Sequence, residues 1–157
     1  MEYYLLGFSS NNIVKYCIWM TNRTDRIYCD INRKIVTFES EREALSYACS
    51  KNINLDINNK YICKFEKIKV INNNLGNVLD FWNLTADITK TLGINFLGNR
   101  KSPVVNRIYY KLFHGCNLFK KKDVGPYIPK FNDNEMHILN KIIKDGEKII
   151  CRYIFEM

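Results

Sequence analysis

Two histidines are the side chains of this 157-residue chain best suited to proton transfer near neutral pH. A nuclease that used them as a pair would need both beside one phosphate. His114 precedes Gly115 at the expected end of a helix, where a histidine interacts favourably with the helix C-terminus. His137 lies in a later predicted helix and faces away from its apolar stripe. Structural roles are therefore favoured, and no catalytic residue is predicted.

Asp80 and Asp87 are seven residues apart, which places both carboxylates on one face of a predicted helix. Such a pair can hold a metal or perform acid–base chemistry, but it is more often the solvated side of an amphipathic helix. The chain contains no GxSxG, HExxH, P-loop or GxGxxG motif. We therefore expect no enzyme activity, no metal site and no cofactor.

The six cysteines are too widely spaced for a zinc site, because no CxxC or HxxxC pair occurs. Most lie within apolar segments, so we expect free thiols that act as small core residues. The start MEYYLLGFSS has no basic region, and no apolar run approaches the roughly 20 residues that a membrane helix needs. These features predict a cytoplasmic protein without a membrane partner.

The formal net charge of +8, from 24 basic and 16 acidic side chains, favours an acidic partner, either nucleic acid or an acidic protein surface. The abundance of asparagine, isoleucine and lysine is also typical of an A/T-rich genome, which raises lysine without a functional cause. A cluster of basic and aromatic residues follows Gly115 in the sequence. It is either a solvated loop or a contact to the partner, and we hypothesise partner binding by Lys120, Lys121, Lys122, Tyr127 and Lys130, with Lys111 upstream.

The first half of the chain shows mainly strand patterns. Short strands rich in β-branched and aromatic residues are predicted at 3–8, 13–20 and 26–31, as a meander. Residues 35–38 form either a fourth strand or the lead into a helix. That helix begins at Ser40, with Glu43 at the capping-box spacing. Alternation over residues 61–70 predicts a further, half-exposed strand.

The second half shows mainly helical patterns. One helix carries an apolar stripe from Val78 to Leu92 and ends before Gly93. A second begins at Ser102-Pro103 and stops at Gly115. A third begins at Asn132 or Asp133 and is expected to end at Gly146. The apolar segment KIICRYIF, residues 148–155, predicts a final strand that pairs within the N-terminal sheet.

The resulting fold class is α+β. We expect an antiparallel N-terminal sheet with one helix, then a three-helix C-terminal half, and a final strand returning to the sheet. Residues 1–157 would form a single domain, β-rich over 1–71 and α-rich over 72–146, with the terminal strand at 147–156.

Four segments carry a family resemblance: LDFWNLTADI, FLG, IYYKLFHGCNL and YIPKF, together with the opening MEYYLLGFSS. They resemble the immunity proteins of bacterial contact-dependent growth inhibition systems. The matching segments span residues 79–131, about a third of the chain. The resemblance implies a small cytosolic protein that binds the C-terminal domain of its cognate toxin, expected to be a nuclease. Inhibition would occlude the active site of the toxin or lock its conformation. The resemblance leaves the binding residues open. It keeps Asp80 and Asn83 within its motif, which implies a buried polar role for them, as a cap or in a helix–loop hydrogen bond, as an alternative to the solvated interpretation.

A nucleic-acid-binding module is the alternative, suggested by the positive charge and by aromatic side chains on a predicted sheet. It predicts steeply salt-dependent binding to RNA or DNA. We regard nucleic acid as the less favoured partner, because the family resemblance indicates a protein.

Overall fold

A computed structural model of the chain describes residues 1–65, 68, 74–119 and 124–156. Within that part the chain forms five strands and four α-helices, which confirms the predicted α+β class. The strands are β1 (Glu2–Ser10), β2 (Ile13–Asn22), β3 (Thr24–Ile27), β4 (Thr37–Phe38) and β5 (Leu55–Lys64). The helices are α1 (Glu41–Ser50), α2 (Leu75–Leu92), α3 (Pro103–Gly115) and α4 (Asp133–Ile154).

The first three strands form the predicted antiparallel meander, but β3 covers Thr24–Ile27, so the predicted bounds of 26–31 are wrong for this strand. Ser10 pairs with Ile13, so β1 and β2 are joined by a two-residue turn. Asn11 and Asn12 both have positive φ angles, 48° and 64°, as a type I′ hairpin turn requires. The sheet order is β3-β2-β1-β5, and β4 pairs with another part of β2.

The sheet is mixed, and the prediction of a wholly antiparallel sheet is wrong at β5. This strand runs parallel to β1, because α1 lies on the crossover that returns the chain to the same end of the sheet. The strand also begins at Leu55, six residues before its predicted start, and ends at Lys64. Residues 66, 67, 69 and 70 of the predicted strand lie outside the described residues.

An irregularity inside β5 explains why its first half was missed. Tyr4 pairs with Asp56 whereas Leu6 pairs with Tyr61, so several extra residues are inserted on the β5 side. The Asp56 carboxylate accepts the backbone N–H groups of the two residues that follow Ile57, at 2.8 and 3.1 Å. Such aspartate and asparagine turns interrupt the alternation that identifies a strand.

Local capping residues set the starts of the helices as predicted. The Ser40 hydroxyl accepts the Glu43 N–H at 3.2 Å, although the Glu43 carboxylate accepts the N–H of Glu39 rather than that of Ser40. Ser102 caps α3 by accepting the Val105 N–H, with proline at the first helical position. Helix α2 ends at Gly93, which has a φ of 68°.

Helix α4 corrects two predictions at once. It continues through Gly146 to Ile154 as one helix of 22 residues, so the expected stop at Gly146 and the terminal strand over 147–156 are both wrong. The apolar residues after Gly146 keep helical spacing, since Ile149, Ile150 and Ile154 are all buried. A Cβ on Gly146 would lie 2.7 Å from Cζ of Phe81. This glycine is therefore a packing residue and not a helix terminator.

The sheet carries apolar clusters on both faces. Leu5 and Ile18 pack with α1, whereas their neighbours Leu6 and Cys17 belong to the larger cluster with α2, α3 and α4. This division arises because successive side chains of a strand point to opposite faces of the sheet. The larger cluster connects the sheet with all three C-terminal helices.

All six cysteines are free thiols, as expected. Cys17 and Cys63 are core residues, and Cys49 is exposed. Across the described residues, none of the helices has the length and apolar character needed to cross a bilayer.

Candidate partner-binding surface

Large apolar side chains are exposed together where α3 ends. Of the ten such exposed side chains among the described residues, six lie between residues 110 and 128. They are Tyr110, Leu118, Phe119, Val124, Tyr127 and Ile128. We call the surface formed by Tyr110, His114, Leu118, Phe119, Val124 and Tyr127 the α3-end patch. Contiguous exposed apolar surface on a globular protein marks an interaction site.

Stacked rings make the patch continuous. Tyr110 and His114 are one helical turn apart, and their rings stack with centroids 6.3 Å apart and an interplanar angle of 23°. The Tyr127 ring meets His114 edge-on at 6.5 Å. Phe113 is half-buried, and its ring centroid lies 5.5 Å from that of His114 and 6.3 Å from that of Phe119. A shallow groove of about 560 Å³ runs between these rings and Val124.

Asn117 ties the two ends of the intervening loop together. Its side-chain oxygen accepts the Tyr127 N–H at 2.7 Å, and its amide nitrogen donates to the Tyr127 carbonyl at 3.0 Å. The same nitrogen donates to the Gly115 carbonyl at 2.9 Å, and the backbone of Asn117 has a φ of 51°. The side chain therefore pairs with the Tyr127 backbone as a neighbouring strand would, and it fixes Tyr127 beside α3.

Gly115 allows the returning chain to pack closely against α3. A Cβ at this position would lie 2.6 Å from Leu75 Cδ1 and 2.9 Å from Pro129 Cγ. The predicted helix stop is confirmed, since α3 ends at Gly115. The additional reason for glycine here is the close approach of residue 129.

The predicted partner-binding residues have different outcomes. Tyr127 lies in the patch, and Lys130 is exposed two residues beyond Ile128. Lys120, Lys121 and Lys122 lie outside the described residues. Lys111 is engaged internally, because its ammonium group donates to the Lys130 carbonyl at 2.7 Å and to Glu135 at 2.6 Å.

Glu135 anchors this side of the molecule. Its buried carboxylate accepts from Lys111 and Arg107, at 2.6 and 2.7 Å, and closes a capping box with Asn132 at the start of α4. Burial opposes its charge, but the hydrogen bonds from Lys111 and Arg107 outweigh burial and lower the pKa of Glu135 to about 2. The ion pairs therefore join α3 to the first turn of α4.

A second concave surface was not predicted. It is a mainly apolar groove of about 440 Å³, and its walls come from β1, β2, β3, β5 and α2. The lining residues are Tyr4, Leu5, Leu6, Trp19, Asp25, Asn59, Tyr61, Asp80, Asn83, Leu84 and Asp87. We call it the acidic groove, because three of these residues are aspartates and none is basic.

Asp80 and Asp87 do share one face of α2, and both line the acidic groove. Asp80 accepts the Tyr61 hydroxyl at 3.0 Å, and Asp87 accepts the Trp19 indole N–H at 3.2 Å. Burial raises the pKa of Asp87, and the nearby charge of Asp25 adds to this rise. Asp80 is exposed, as in the solvated interpretation, whereas Asp87 is half-buried.

The other candidate residues have structural surroundings. Asn83 accepts the Tyr109 hydroxyl at 3.0 Å, which links α2 with α3. His137 is exposed on α4 and does not line the groove that contains His114. Within the described part of the chain, no group of three histidine, cysteine or acidic residues is arranged to hold a metal ion.

Comparison of the chain with protein-family models, with curated proteins and with solved structures finds no match.

Proposed function

We propose that the protein is a cytoplasmic immunity protein that neutralises a cognate toxin domain by binding it one-to-one. The observation that carries the proposal is the α3-end patch, whose aromatic and aliphatic side chains are exposed to solvent in the free chain. Two of the segments that resemble contact-dependent growth inhibition immunity proteins, IYYKLFHGCNL and YIPKF, supply Tyr110, His114, Leu118 and Tyr127. The resemblance and the exposed surface therefore meet in one region of the chain.

The patch has the composition of a binding hot spot. Aromatic side chains supply much of the binding energy in protein interfaces, and burying one contributes about 1.5–3 kcal/mol. Binding also costs free energy for ordering loops and side chains at the interface. The Asn117 hydrogen bonds already hold the Tyr127 backbone, so the backbone part of that cost at Tyr127 is lower.

A stable complex buries about 800 Å² on each partner. Lys130, which is exposed, adds positive charge on this side of the molecule, and the sequence carries three further lysines directly after Phe119. A partner that presents an acidic rim around an apolar centre would match this surface and would associate faster at low ionic strength.

Nucleic-acid binding through the sheet is disfavoured by the acidic groove. The two sheet aromatics Tyr4 and Trp19, with ring centroids 5.7 Å apart, lie beside Asp25 and Asp87. Carboxylates at this position repel phosphate groups, so bases could not stack here without bringing like charges together.

Co-expression with the C-terminal domain of the protein encoded directly upstream tests the proposal. We expect a 1:1 complex in gel filtration and restored growth of cells that express the toxin domain. Phe119→Ala combined with Tyr127→Ala should weaken the complex by about 100-fold, since it removes two aromatic side chains that the complex would bury. Ile31→Ala is the matched control, because Ile31 is 97% exposed and lies outside the patch.

Two results would contradict the proposal in different ways. No complex with the upstream protein, and no rescue of growth, would remove the immunity function. A complex that forms with unchanged affinity in the double variant would show that the α3-end patch is not the binding surface. A gel-shift assay at moderate salt would support the nucleic-acid alternative if binding fell steeply with added salt.

A further inference from the structure

The acidic groove has walls suited to a flat, positively charged group. Trp19 forms one wall, with its ring centroid 5.7 Å from that of Tyr4 and its indole N–H bonded to Asp87. Tyr61 lies across from α2 and donates its hydroxyl to Asp80. Aromatic faces carry partial negative charge and attract cations, so these rings and the aspartates act in the same direction.

The charge of the groove is opposite to that of the whole chain. Asp25, Asp80 and Asp87 lie on its surface, although the chain has a net charge of +8. Each aspartate has two acceptor oxygens, and hydrogen bonds from Tyr61 and Trp19 use one oxygen each of Asp80 and Asp87. Lys90, one turn along α2 and exposed to solvent, is a cation that acts on Asp87. Among the described residues, no basic side chain forms a salt bridge with Asp25, Asp80 or Asp87, so their remaining oxygens can accept further hydrogen bonds.

We propose that the acidic groove binds the guanidinium group of an arginine side chain that the partner protein inserts into it. The inference rests on the proposed function only for the source of the arginine. The groove would be a second contact, in addition to the α3-end patch and with the opposite charge.

Arginine fits the groove better than lysine for two reasons. A guanidinium is planar, so it can stack on the Trp19 ring while its N–H groups fork between carboxylates. An ammonium group is more strongly hydrated and presents no flat face to the ring. The apolar stem of arginine would lie along Leu6 and Leu84, which also line the groove.

The volume of the groove matches a single side chain with some of its backbone. About 440 Å³ falls within the range of small-ligand sites, roughly 300–1,000 Å³, and is too little for a folded element such as a helix. An extended loop of the partner, with one arginine at its tip, is therefore the expected shape of the bound segment.

The Trp19 indole N–H reports directly on occupancy. The chain has only two tryptophans, and Trp82 is buried at 3% exposure under α3, so it serves as an internal control. A ¹⁵N-labelled sample would be titrated with acetyl-Gly-Arg-Gly-amide, with the lysine analogue and with the neutral citrulline analogue. We expect the arginine peptide to move the Trp19 signal saturably, the lysine peptide to bind more weakly and the citrulline peptide to have no effect.

Two variants test the carboxylates. Asp25→Asn leaves the Trp19 hydrogen bond intact, and Asp87→Asn keeps an acceptor for it while removing a half-buried charge, so both should fold. Each should weaken arginine-peptide binding by about tenfold, the loss of one charge-assisted contact. Asp133→Asn makes the same charge change outside the groove, at the start of α4, and should leave the affinity unchanged.

Three outcomes would each overturn the assignment. They are an unmoved Trp19 signal, a lysine or citrulline peptide that binds as well as the arginine peptide, and full affinity in both aspartate variants. The titration uses the free protein, so it is independent of the toxin. Failure to capture the upstream protein would remove the immunity function and leave the groove result standing. Failure of the titration would remove the groove and leave the patch.

Discussion

Replacement of Gly146 by alanine has two opposing effects on the stability of the protein. Alanine is the better helix former, by about 1 kcal/mol in a helix interior. The new Cβ would, however, lie 2.7 Å from Cζ and 2.8 Å from Cε1 of Phe81, and 3.2 Å from the Thr85 hydroxyl oxygen. Phe81 is 1% exposed and fully enclosed, so its ring cannot move aside without displacing other core residues.

The steric effect should prevail. Overpacking of a core costs about 1–3 kcal/mol, and the enclosed position of Phe81 favours the upper part of that range. After subtraction of the gain in helix propensity, Gly146→Ala should lower the free energy of unfolding by about 2 kcal/mol. For a chain of this length that corresponds to a fall in Tm of about 4–8 °C.

Gly76 supplies a matched control with the opposite sign. It lies in the first turns of α2, is exposed, and has no atom within 4 Å of a built Cβ. Gly76→Ala should therefore stabilise the protein by up to about 1 kcal/mol. Thermal and urea unfolding of both variants, monitored by circular dichroism, make the comparison.

A double variant separates packing from propensity. In a protein that already carries Phe81→Leu, the added Cβ fills space that the ring has left, so Gly146→Ala should cost less than in the wild type. If Gly146→Ala instead stabilises the protein as much as Gly76→Ala does, then the contact with Phe81 is not the reason for glycine at this position.

Three further expectations concern caps and charges. Ser102→Ala should cost about 1 kcal/mol in urea unfolding, since it removes the cap of α3, and an unchanged midpoint would contradict the capping role. Because the pKa of Glu135 is lowered from 4.5 to about 2 in the folded chain, its stabilisation is complete above pH 4.5 and disappears as the pH falls towards 2. Glu135→Gln should remove that acid-dependent loss of stability. Near neutral pH it should lower the free energy of unfolding by about 2 kcal/mol, a value reduced because the Arg107 partner is exposed. Equal pH profiles of unfolding for the variant and the wild type would refute this. Asn117→Ala should accelerate hydrogen exchange of the Tyr127 amide with little change in Tm, and a still-protected amide would show that the side chain does not close the loop.

Signals that depend only on neighbouring residues predicted structure well. Ser102, Asn132 and Gly93 cap the helices that they were expected to cap, because each acts on backbone groups within one turn. The Asn11-Asn12 turn likewise needs no distant contact. Errors arose where the deciding contact is remote in sequence.

Gly146 and β5 show the two kinds of error. The segment after Gly146 satisfies both strand and helix patterns, and only contact with Phe81 shows that the glycine is compatible with a helix. The direction of β5 depends on the crossover through α1, and its first half is disguised by the Asp56 turn. Neither feature can be obtained from periodicity alone.

The α3-end patch is formed by residues that are close in sequence, whereas the acidic groove depends on residues that are far apart in sequence. Tyr127 was predicted from a local cluster of basic and aromatic residues, and the helical spacing of Tyr110 and His114 was an available signal for the rest of the patch. The acidic groove brings Trp19 and Asp87 together across 68 positions of sequence. Only the seven-residue spacing of the two aspartates on α2 pointed towards it.

The course of synthesis follows from the way the larger apolar cluster is assembled. Leu6 and Phe8 share that cluster with Ile150 and Ile154, which are synthesised about 7–30 s later at ordinary translation speeds. Until then one face of the nascent sheet has no cover and is a target for chaperones. Under the proposed immunity function, only molecules that already carry the whole of α4 would bind the toxin.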